Sequence, residues 1–591
     1  MKYPTLNELG TSRELVDVFK GYNHNLRIGD GEFYDMTNLT SDHYPILSPR
    51  PKRGIYETPN KPQGMVAKDA LCYVDGSDFI INEYRVNMGL TIDDTPKTLI
   101  SMGAYVIIMP DKKYINTADY SDRGNIEATI TTATDITFEL CNLVGDSYED
   151  VVTQSTPPSN PENMDYWIDT SESPHQLKQY SSTTAMWSAV ATTYIKIIAT
   201  GIGKPFLAND GVTISGIKNQ NLANLNGWAE NDDGYYGTMV IWAKGDDYIV
   251  VTGIIDEVIT QEASSPISIT RRMPNMDFII ESENRLWGCR YGTAVNGEIV
   301  NEIYACKLGD FKNWNCFMGI STDSYAASVG TDGQFTGAIT HLGYPLFFKE
   351  NFVHKIYGNY PANYQIQTTA CRGVQKECSK SLAIVNEVLY YKARSGICAY
   401  DGSLPVEMSS ALGEESYSNA VAGALGNKYY ISMCDTNGDY HLFVYDTLKG
   451  MWHREDGTQA KEFCNCRGDL YYIDYADNQI KTVRGTGVKE TEPIKWQAIT
   501  GVIGTDSPDK KYISRMDVRM KLDVGSRVMF FAEYDSCGDW EYLFAMTGTT
   551  LKSFAVPIRP QRCDHMRLKI VGYGDAKIYS ICKTIEQGSD V

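Results

Sequence analysis

The sequence of 591 residues has no apolar run long enough to form a membrane helix. Its most apolar window, residues 189–201, is interrupted by Thr192, Tyr194 and Lys196, whereas a membrane span needs about 20 consecutive apolar residues. The opening residues, MKYPTLNELG, lack a basic region followed by an apolar segment, so no secretory signal is predicted. Without an export signal, the 14 cysteines are expected to be reduced thiols, and no membrane insertion is predicted.

The sequence also has little helical periodicity. Its best helical candidates, residues 6–19 and 184–191, span no more than about three turns. The 40 tyrosines and 50 glycines favour a mostly β protein. At this length the chain is expected to form several domains or one large repeat assembly.

Basic residues are in the minority. The chain has 54 Lys and Arg against 74 Asp and Glu, which gives a net charge of −20. This excess disfavours wrapping nucleic acid or lying on an anionic membrane, because the sequence-independent attraction would have the wrong sign. Two interpretations of the negative charge stay open. It keeps the protein soluble, or it belongs to a channel wall past which DNA slides without binding.

The familiar catalytic motifs are missing as well. Neither a G-x-S-x-G elbow nor an H-E-x-x-H helix accompanies the eight histidines. Carboxylates are abundant, but a sequence does not give their separation in space, so a glycosidase pair is neither supported nor excluded. Gly201-Ile202-Gly203 lacks the third glycine and the helix of a dinucleotide loop, and it is predicted to be a turn. No enzyme activity, catalytic residue or cofactor is predicted.

Two patterns resemble metal sites only in part. Asp435-x-Asn437-x-Asp439 has the first spacings of a calcium loop but lacks its glycine and its final glutamate, so a polar hairpin tip is predicted. The cysteines lack the spacing of a zinc site, and no metal site is predicted. Four of them are predicted to be small apolar side chains in the core and not ligands: Cys371, Cys378, Cys464 and Cys466.

Aromatic side chains are the remaining candidates for a binding site. The stretch YDSCGDW, residues 534–540, is similar to the Asp-rich hairpins of sialidase propellers but lacks their Ser-x-Asp-x-Gly-x-Thr-Trp order. Trp228, Tyr235, Tyr236 and Trp540 could each stack against a sugar ring. The alternative is that these residues pack a blade or a loop, which is the more ordinary use of an aromatic side chain.

A unit of two short strands recurs along the chain. Residues 386–410 contain the alternating strand VLYYKA, a turn at RSG, the strand ICAY and a second turn at DG. Similar units recur at about 40–45 residues, a spacing typical of propeller blades. They predict a β-propeller of about seven blades, two before a long interruption and five after it, with six or eight still possible.

These patterns predict an all-β chain in five parts. The interruption is β-rich and reads as a small barrel, and the longer C-terminal strands are typical of a β-sandwich. Prolines between residues 45 and 62 favour an extended start. The predicted parts are an N-terminal arm (1–64), the first propeller blades (65–120), an inserted β-barrel-like domain (121–272), the remaining blades (273–488) and a C-terminal β-sandwich (489–591).

Four stretches together resemble structural proteins of phages and of prophages in Gram-positive bacteria. They are DMTNLTSDHYPILSPRPKRG near the start, YWIDTSESPHQL in the interruption, GICAYDGSLPVEMSSAL in a blade, and IRPQRCDHMRLKIVGYGDAKIYSICKTIEQGSD at the end. The chain is similar to the β-propeller hub and nozzle proteins, or tail tubular proteins, of short-tailed phages. The interruption itself aligns with no one nozzle protein.

The resemblance implies a virion protein of the tail, assembled in the host cytoplasm as a homo-oligomeric ring, commonly a hexamer. Such a ring contacts portal and adaptor proteins, carries tail fibres or a tip, lines the DNA channel, helps to retain the genome and takes part in genome ejection. Two alternatives stay open. One is a receptor-binding or glycan-binding protein of the tail tip, and the other is a glycan-degrading propeller enzyme.

Overall fold

In the computed structural model, residues 10–227, 238–294, 297–505 and 510–587 are described. Within these ranges the regular structure is β-strand, together with short 3-10 turns and no α-helix. The two helical candidates are wrong, because Thr11–Val16 and Met186–Ala189 are strands paired with neighbouring strands. The 3-10 turns are Gln220–Leu225, Pro361–Asn363, Ser379–Ser381 and Ser410–Leu412.

The predicted fold class is confirmed: the chain is all-β, with propeller blades, a barrel-like insertion and a C-terminal sandwich. It divides into two compact units, one of residues 1–97, 348–353 and 370–591, and one of residues 98–347 and 354–369. Outside the insertion, seven blades are present in the described residues: in six of them four strands lie side by side in sequence order, and in the seventh the fourth strand comes from the early part of the chain. Two of them precede the insertion and five follow it.

Four blades belong to the first unit. Blade 1 is Pro62–Ala67, Leu71–Asp75, Asp78–Ile81 and Tyr84–Asn87. Blade 5 is Ala383–Val385, Val388–Ala393, Gly396–Tyr400 and Val406–Glu407. Blade 6 is Ser418–Leu425, Lys428–Cys434, Tyr440–Asp446 and Met451–Arg454. Blade 7 is Ala460–Cys466, Asp469–Asp474, Ile480–Thr482 and the early strand Gly54–Glu57, beside which lies Val488–Lys489.

Three blades belong to the second unit, apart from residues 348–353 and 370. Blade 2 is Thr98–Met102, Tyr105–Met109, Lys113–Asn116 and Arg123–Asn125. Blade 3 is Phe278–Ser282, Arg285–Thr293, Ile299–Ala305 and Tyr325–Ser328. Blade 4 is Gly337–His341, Tyr344–Lys349, Phe352–Tyr357 and Gln365–Ala370.

Apolar side chains on facing blades form the cores within each unit. Tyr73 of blade 1 and Tyr471 of blade 7 lie in one buried cluster, and Tyr430 of blade 6 shares another with Leu470 of blade 7. In the second unit, Trp287 of blade 3 packs in a cluster with residues of blade 4. These contacts follow from strands that are apolar on both faces, as burial between two neighbouring blades requires.

The insertion forms a closed core between two sheets, and a third small sheet lies within its sequence. Eighteen buried residues, among them Phe138, Ile197 and Ile249, fill the space between the two sheets. The strands are Ala128–Thr131, Ile136–Cys141, Val152–Gln154, Tyr166–Asp169, Gln176–Ser181, Met186–Ala189, Tyr194–Ile198, Gly211–Ser215, Thr238–Val240, Ala243–Lys244, Tyr248–Thr252, Ile259–Gln261 and Ser268–Arg271.

The C-terminal sandwich is built from both ends of the chain. Thr11–Val16 pairs with Ala576–Gln587, and Glu32–Thr37 pairs with Lys495–Thr500. The other early strands are Gly21–Tyr22, Leu39–Thr40 and Ser48–Pro49. The remaining sandwich strands are Lys511–Leu522, Arg527–Tyr534, Glu541–Met546, Lys552–Val556 and Met566–Tyr573. Residues 10–64, part of the predicted extended arm, therefore contribute strands to sheets of the same chain.

The early strands also join the sandwich to the blades. Gly21–Tyr22 pairs with the last strand of blade 6, and Glu32–Thr37 lies beside it. One continuous sheet thus runs from blade 6 through these two strands into the sandwich. In the described part of the chain, no helix is long and apolar enough to cross a membrane.

Candidate functional site

The glycine pattern considered as a nucleotide loop is a turn, as the sequence predicts. Residues 201–205 form consecutive turns in the insertion. A Cβ atom on Gly203 would lie 2.0 Å from the carbonyl oxygen of Gly245, so this glycine allows two backbone segments to approach closely. The motif serves packing of the insertion.

The calcium-like pattern lies at the hairpin tip of blade 6. Asp435 accepts hydrogen bonds from the backbone N–H groups of Asn437 and Asp439, at 2.8 and 3.0 Å. Its other carboxylate oxygen lies 3.0 Å from Nε2 of His441. The hydrogen bond to His441 lowers the pKa of Asp435 to about 2. The carboxylate therefore stabilises its own turn.

Two of the four cysteines, Cys378 and Cys466, are buried as predicted, whereas Cys371 and Cys464 are half-buried. Cys378 is fully buried and accepts a hydrogen bond from the backbone N–H of Ala420, and Cys466 is 3% exposed. Burial raises the pKa of Cys371 to about 11 and also raises that of Cys464. Among the described residues, no group of three or more His, Cys, Asp and Glu side chains is arranged to hold a metal ion.

Trp540 lies in a cluster of aromatic rings on the sandwich, which we call the aromatic cluster: Phe531, Trp540, Tyr542 and Lys569. Nζ of Lys569 lies 4.2 Å from the ring centre of Trp540 and 5.3 Å from that of Phe531. Phe531 and Tyr542 meet edge to face at 5.6 Å on paired strands. Tyr542 is 52% exposed, so the cluster presents aromatic surface to solvent.

The lysine of this cluster is held against aromatic rings. Partial burial lowers the pKa of Lys569, against the opposing effect of Glu533. A cation over an aromatic face is stabilised by the ring quadrupole. The other three aromatic candidates, Trp228, Tyr235 and Tyr236, lie outside the described residues.

A second group of polar residues fastens the N-terminal segment, and we call it the arginine clasp: Arg50, Arg53, Glu455, Asp456 and Glu490. Arg53 donates to Oε2 of Glu455 at 2.7 Å and approaches Oδ2 of Asp456 at 2.8 Å. Arg50 pairs with Glu490 at 3.0 Å and lies 3.6 Å from Asp456. The two arginines thus hold together three parts of the first unit: the N-terminal segment, the end of blade 6 and the start of the C-terminal sandwich.

The clasp is buried at its centre. The side chains of Arg53 and Glu455 are 5% and 3% exposed. Burial opposes ionisation of Asp456, but the charges of Arg53 and Arg50 outweigh it and hold the pKa of Asp456 below its usual value. Charges buried at this depth are stable in a fold only when they are paired and hydrogen-bonded.

The clasp has no signature in the sequence by which its partners could be predicted. Arg50 and Arg53 stand in SPRPKRG, whose prolines predict only an extended segment. Their partners lie about 400 residues further along the chain. Two arginines in a proline-rich segment before the first blade indicate that this segment forms ion pairs. Which carboxylates they pair with depends on the fold.

Comparison with known proteins gives likeness of fold only. No protein-family model and no curated protein matches this chain. An exo-β-1,3-galactanase from Phanerochaete chrysosporium, with galactose, is 9% identical and covers 52% of this chain and 94% of its own, at a TM-score of 0.22. A Trypanosoma rangeli sialidase, with sialic acid, is 9% identical and covers 98% of this chain and 95% of its own, at a TM-score of 0.23. Both are β-propeller structures, and likeness at this level carries no argument about activity.

Proposed function

We propose that this chain is a structural protein of a bacteriophage tail, a hub or nozzle that assembles as a ring around the DNA channel. The proposal rests first on the four stretches that resemble phage tail proteins. In this reading the ring is a homo-oligomer of about six copies, contacts portal or adaptor proteins, and carries fibres or a tip.

The single structural observation that supports the proposal is the arginine clasp. The stretch DMTNLTSDHYPILSPRPKRG, which carries part of the resemblance, spans residues 35–54 and contains both arginines of the clasp. Through Arg53 and Glu455 it fastens the start of the chain to blade 6, and Gly54–Glu57 completes blade 7. Charged groups here hold elements together, which suits a protein that bears load in a particle.

The net charge of −20 is compatible with this role. A ring that lines a DNA channel must let the polyanion pass without trapping it, and an acidic protein gives no sequence-independent attraction for phosphates. A need for solubility explains the same charge. The charge is therefore compatible with the proposed function but does not favour it.

Assembly tests the proposal directly. The purified chain, examined by mass photometry and negative-stain microscopy, is expected to form closed rings of about six copies with an open channel of duplex width. Phages with a nonsense mutation in the gene are expected to yield filled or leaking heads without complete tails. A chain that stays monomeric at all concentrations, together with normal particles from the mutant phage, would contradict the proposal.

A second candidate function, binding of a cell-surface glycan, is favoured by the aromatic cluster. Tyr542 is exposed and Trp540 is partly exposed beside the cation of Lys569. Sugar rings stack their C–H faces on such surfaces, and lysine can bind their hydroxyl or carboxylate groups.

A glycan array separates this function from a purely structural one. Binding to host glycans is expected to be lost in Trp540→Ala. The matched control is Tyr475→Ala in blade 7, since Tyr475 is also exposed and lies 5.2 Å below Nζ of Lys461. Equal binding by both variants, or no binding by the parent chain, would reject the glycan function.

A further inference from the structure

Three side chains of the C-terminal sandwich form a hydrogen-bonded chain that the sequence motifs did not indicate. Oγ of Ser536 lies 2.7 Å from Nε2 of His565. Nδ1 of the same imidazole lies 2.9 Å from Oδ2 of Asp564. Ser536 stands in the loop after Arg527–Tyr534, and the other two residues stand just before the paired strand Met566–Tyr573.

The partners of His565 determine its tautomer. An ionised carboxylate only accepts hydrogen bonds, so Nδ1 must carry the proton that is donated to Asp564. The hydrogen bond with His565 lowers the pKa of Asp564, which keeps this carboxyl group ionised. In the neutral imidazole, Nε2 is then the unprotonated nitrogen and accepts the hydroxyl proton of Ser536. This is the arrangement in which a histidine acts as general base toward a serine.

The backbone of the two loops holds the three groups in register. Oδ1 of Asp535 accepts hydrogen bonds from the N–H groups of Asp564 and His565, at 2.7 and 3.3 Å. The N–H of Asp535 donates to the carbonyl oxygen of His565 at 2.9 Å. Two loops that are far apart in sequence are thereby fixed to each other at the site itself.

Ser536 is also held in an uncommon backbone conformation. Asp535 and Ser536 have φ angles of +50° and +51°, in the left-handed region that non-glycine residues seldom adopt. Such strain persists only where the surroundings fix it, and it is often found at functional positions. The turn presents the Ser536 side chain at the exposed loop, where an external molecule can reach it.

We propose that Ser536, His565 and Asp564 form a serine hydrolase site that cleaves exposed carboxylic esters with a small acyl group. Oγ of Ser536 attacks the carbonyl carbon while its proton passes to Nε2 of His565. The ester C–O bond then breaks, and the alcohol leaves with the proton from His565. Water, activated by the same imidazole, hydrolyses the acyl-serine to a carboxylic acid and regenerates the hydroxyl group.

The roles of the three residues differ. Ser536 is the nucleophile and His565 the base, while Asp564 is a positioning residue that acts through the imidazole. The site is an exposed loop and not an enclosed tunnel that would bury a long acyl chain. It therefore suits an ester with a small acyl group. The activity is independent of whether the chain forms a ring.

A fluorophosphonate probe tests the nucleophile in the full-length chain. The serine oxygen displaces fluoride from phosphorus with transfer of its proton to the histidine, and thiols such as that of Cys537 do not compete. Peptide mapping is expected to place the label on Ser536, and Ser536→Ala is expected to remove it. The control Ser553→Ala changes another exposed serine of the same sandwich and is expected to keep full labelling.

A second measurement separates catalysis from folding. Hydrolysis of p-nitrophenyl acetate is expected to fall about 100-fold in Ser536→Ala and in His565→Gln, whose amide keeps a hydrogen bond but cannot take the proton. Asp564→Asn is expected to lower kcat with little change in KM, because it disturbs only the orientation of the imidazole. All variants should retain the thermal unfolding midpoint of the parent. Labelling that survives Ser536→Ala, or a hydrolysis rate that is equal in parent and His565→Gln, overturns the proposal.

Discussion

At the scale of single residues, the buried charged and polar side chains of the first unit have two different consequences for stability. Arg53 is enclosed but paired, with Glu455 and Asp456 on its guanidinium and hydrogen bonds to Thr458 and Tyr472. His453, next to this pair in sequence, is fully buried, and neither ring nitrogen has a hydrogen-bond partner among the described residues. Arg53 stabilises the contact between the N-terminal segment and blade 6. His453 is a buried polar group without a hydrogen bond, which lowers the stability of the folded state.

Replacing Arg53 by methionine is expected to destabilise the chain strongly. The methionine fills much of the space but leaves Glu455 buried without its cation, which costs about 3–5 kcal/mol. Chemical denaturation measures the loss. The control is Arg515→Met, because Arg515 is 68% exposed beside Asp517 and its pair is worth about 1 kcal/mol or less. Equal stabilities of the two variants would show that the clasp does not fasten the fold.

Acid is expected to destabilise the chain through His453. Burial, reinforced by the charge of Lys428, holds the pKa of this imidazole well below its usual value in the folded state. As the pH falls below the unfolded pKa of about 6.5, the unfolded chain takes up a proton that the folded chain refuses, so stability falls by up to about 1.4 kcal/mol per pH unit. Denaturation midpoints between pH 7 and pH 5 should show this slope.

The leucine variant of the same residue provides the comparison. His453→Leu removes the titrating group and is expected to flatten the slope. A slope that persists in His453→Leu would assign the acid sensitivity to other groups.

At the scale of strands and sheets, the sequence predicts strands that pair with a near neighbour in the chain. It does not predict strands that pair with a distant segment. The hairpins of blade 5 were predictable because alternating apolar residues, RSG and DG define two strands and two turns within 25 residues. The strand Gly54–Glu57 is not predictable, since its partner Ile480–Thr482 is more than 400 residues away and its four residues are too short a run to show a strand pattern. The strand Thr11–Val16 is not predictable either. Its residue pattern favours a helix, but in the structure it pairs with Ala576–Gln587 as a strand.

The candidate sites follow the same division. Trp540 is a candidate from the sequence alone, because the sequence shows an aromatic residue directly after the polar stretch DSCGD. Its neighbours Phe531 and Lys569 are not, because strand pairing brings them together. The hydrogen bond between Ser536 and His565 is not predictable for the same reason, because no sequence motif spans the 29 residues between them.

The closing strand of blade 7 gives a prediction at this scale. Gly54 pairs on both sides, and a Cβ there would lie 2.1 Å from the carbonyl oxygen of Thr486 and 2.7 Å from Oγ1 of Thr482. Gly54→Ala is therefore expected to push the strand away and to cost about 1–3 kcal/mol. Gly330→Ala, where an added Cβ meets nothing within 4 Å, is the control. Hydrogen exchange of Ile480–Thr482 should rise in the first variant only.

At the scale of the whole molecule, the two ends of the chain fold as one body within the first unit. Early strands cover an edge of Ala576–Gln587, complete the sheet that contains Lys495–Thr500, and connect that sheet to blade 6. Because this pairing joins residues at opposite ends of the sequence, the sandwich forms only after the blades between them have been synthesised. Such non-local pairing is slow to form, because a long loop must close before the contacts are made.

The sandwich is therefore expected not to fold from its C-terminal residues alone. A fragment of residues 489–591 lacks three side chains that are at most 3% exposed in the structure, Phe19, Phe33 and Met36. Each contributes about 1.5–3 kcal/mol by burial, and without Thr11–Val16 the strand Ala576–Gln587 has an open edge prone to aggregation. A fusion of residues 10–40 through a flexible linker to residues 489–591 restores both features and is expected to give dispersed amide resonances and a cooperative thermal transition. The matched control is the same fusion with Phe33→Asp, which places a charge in the core and should behave like the short fragment. If residues 489–591 fold cooperatively without the early strands, the two ends are independent domains and the fastening seen in the structure adds nothing to their stability.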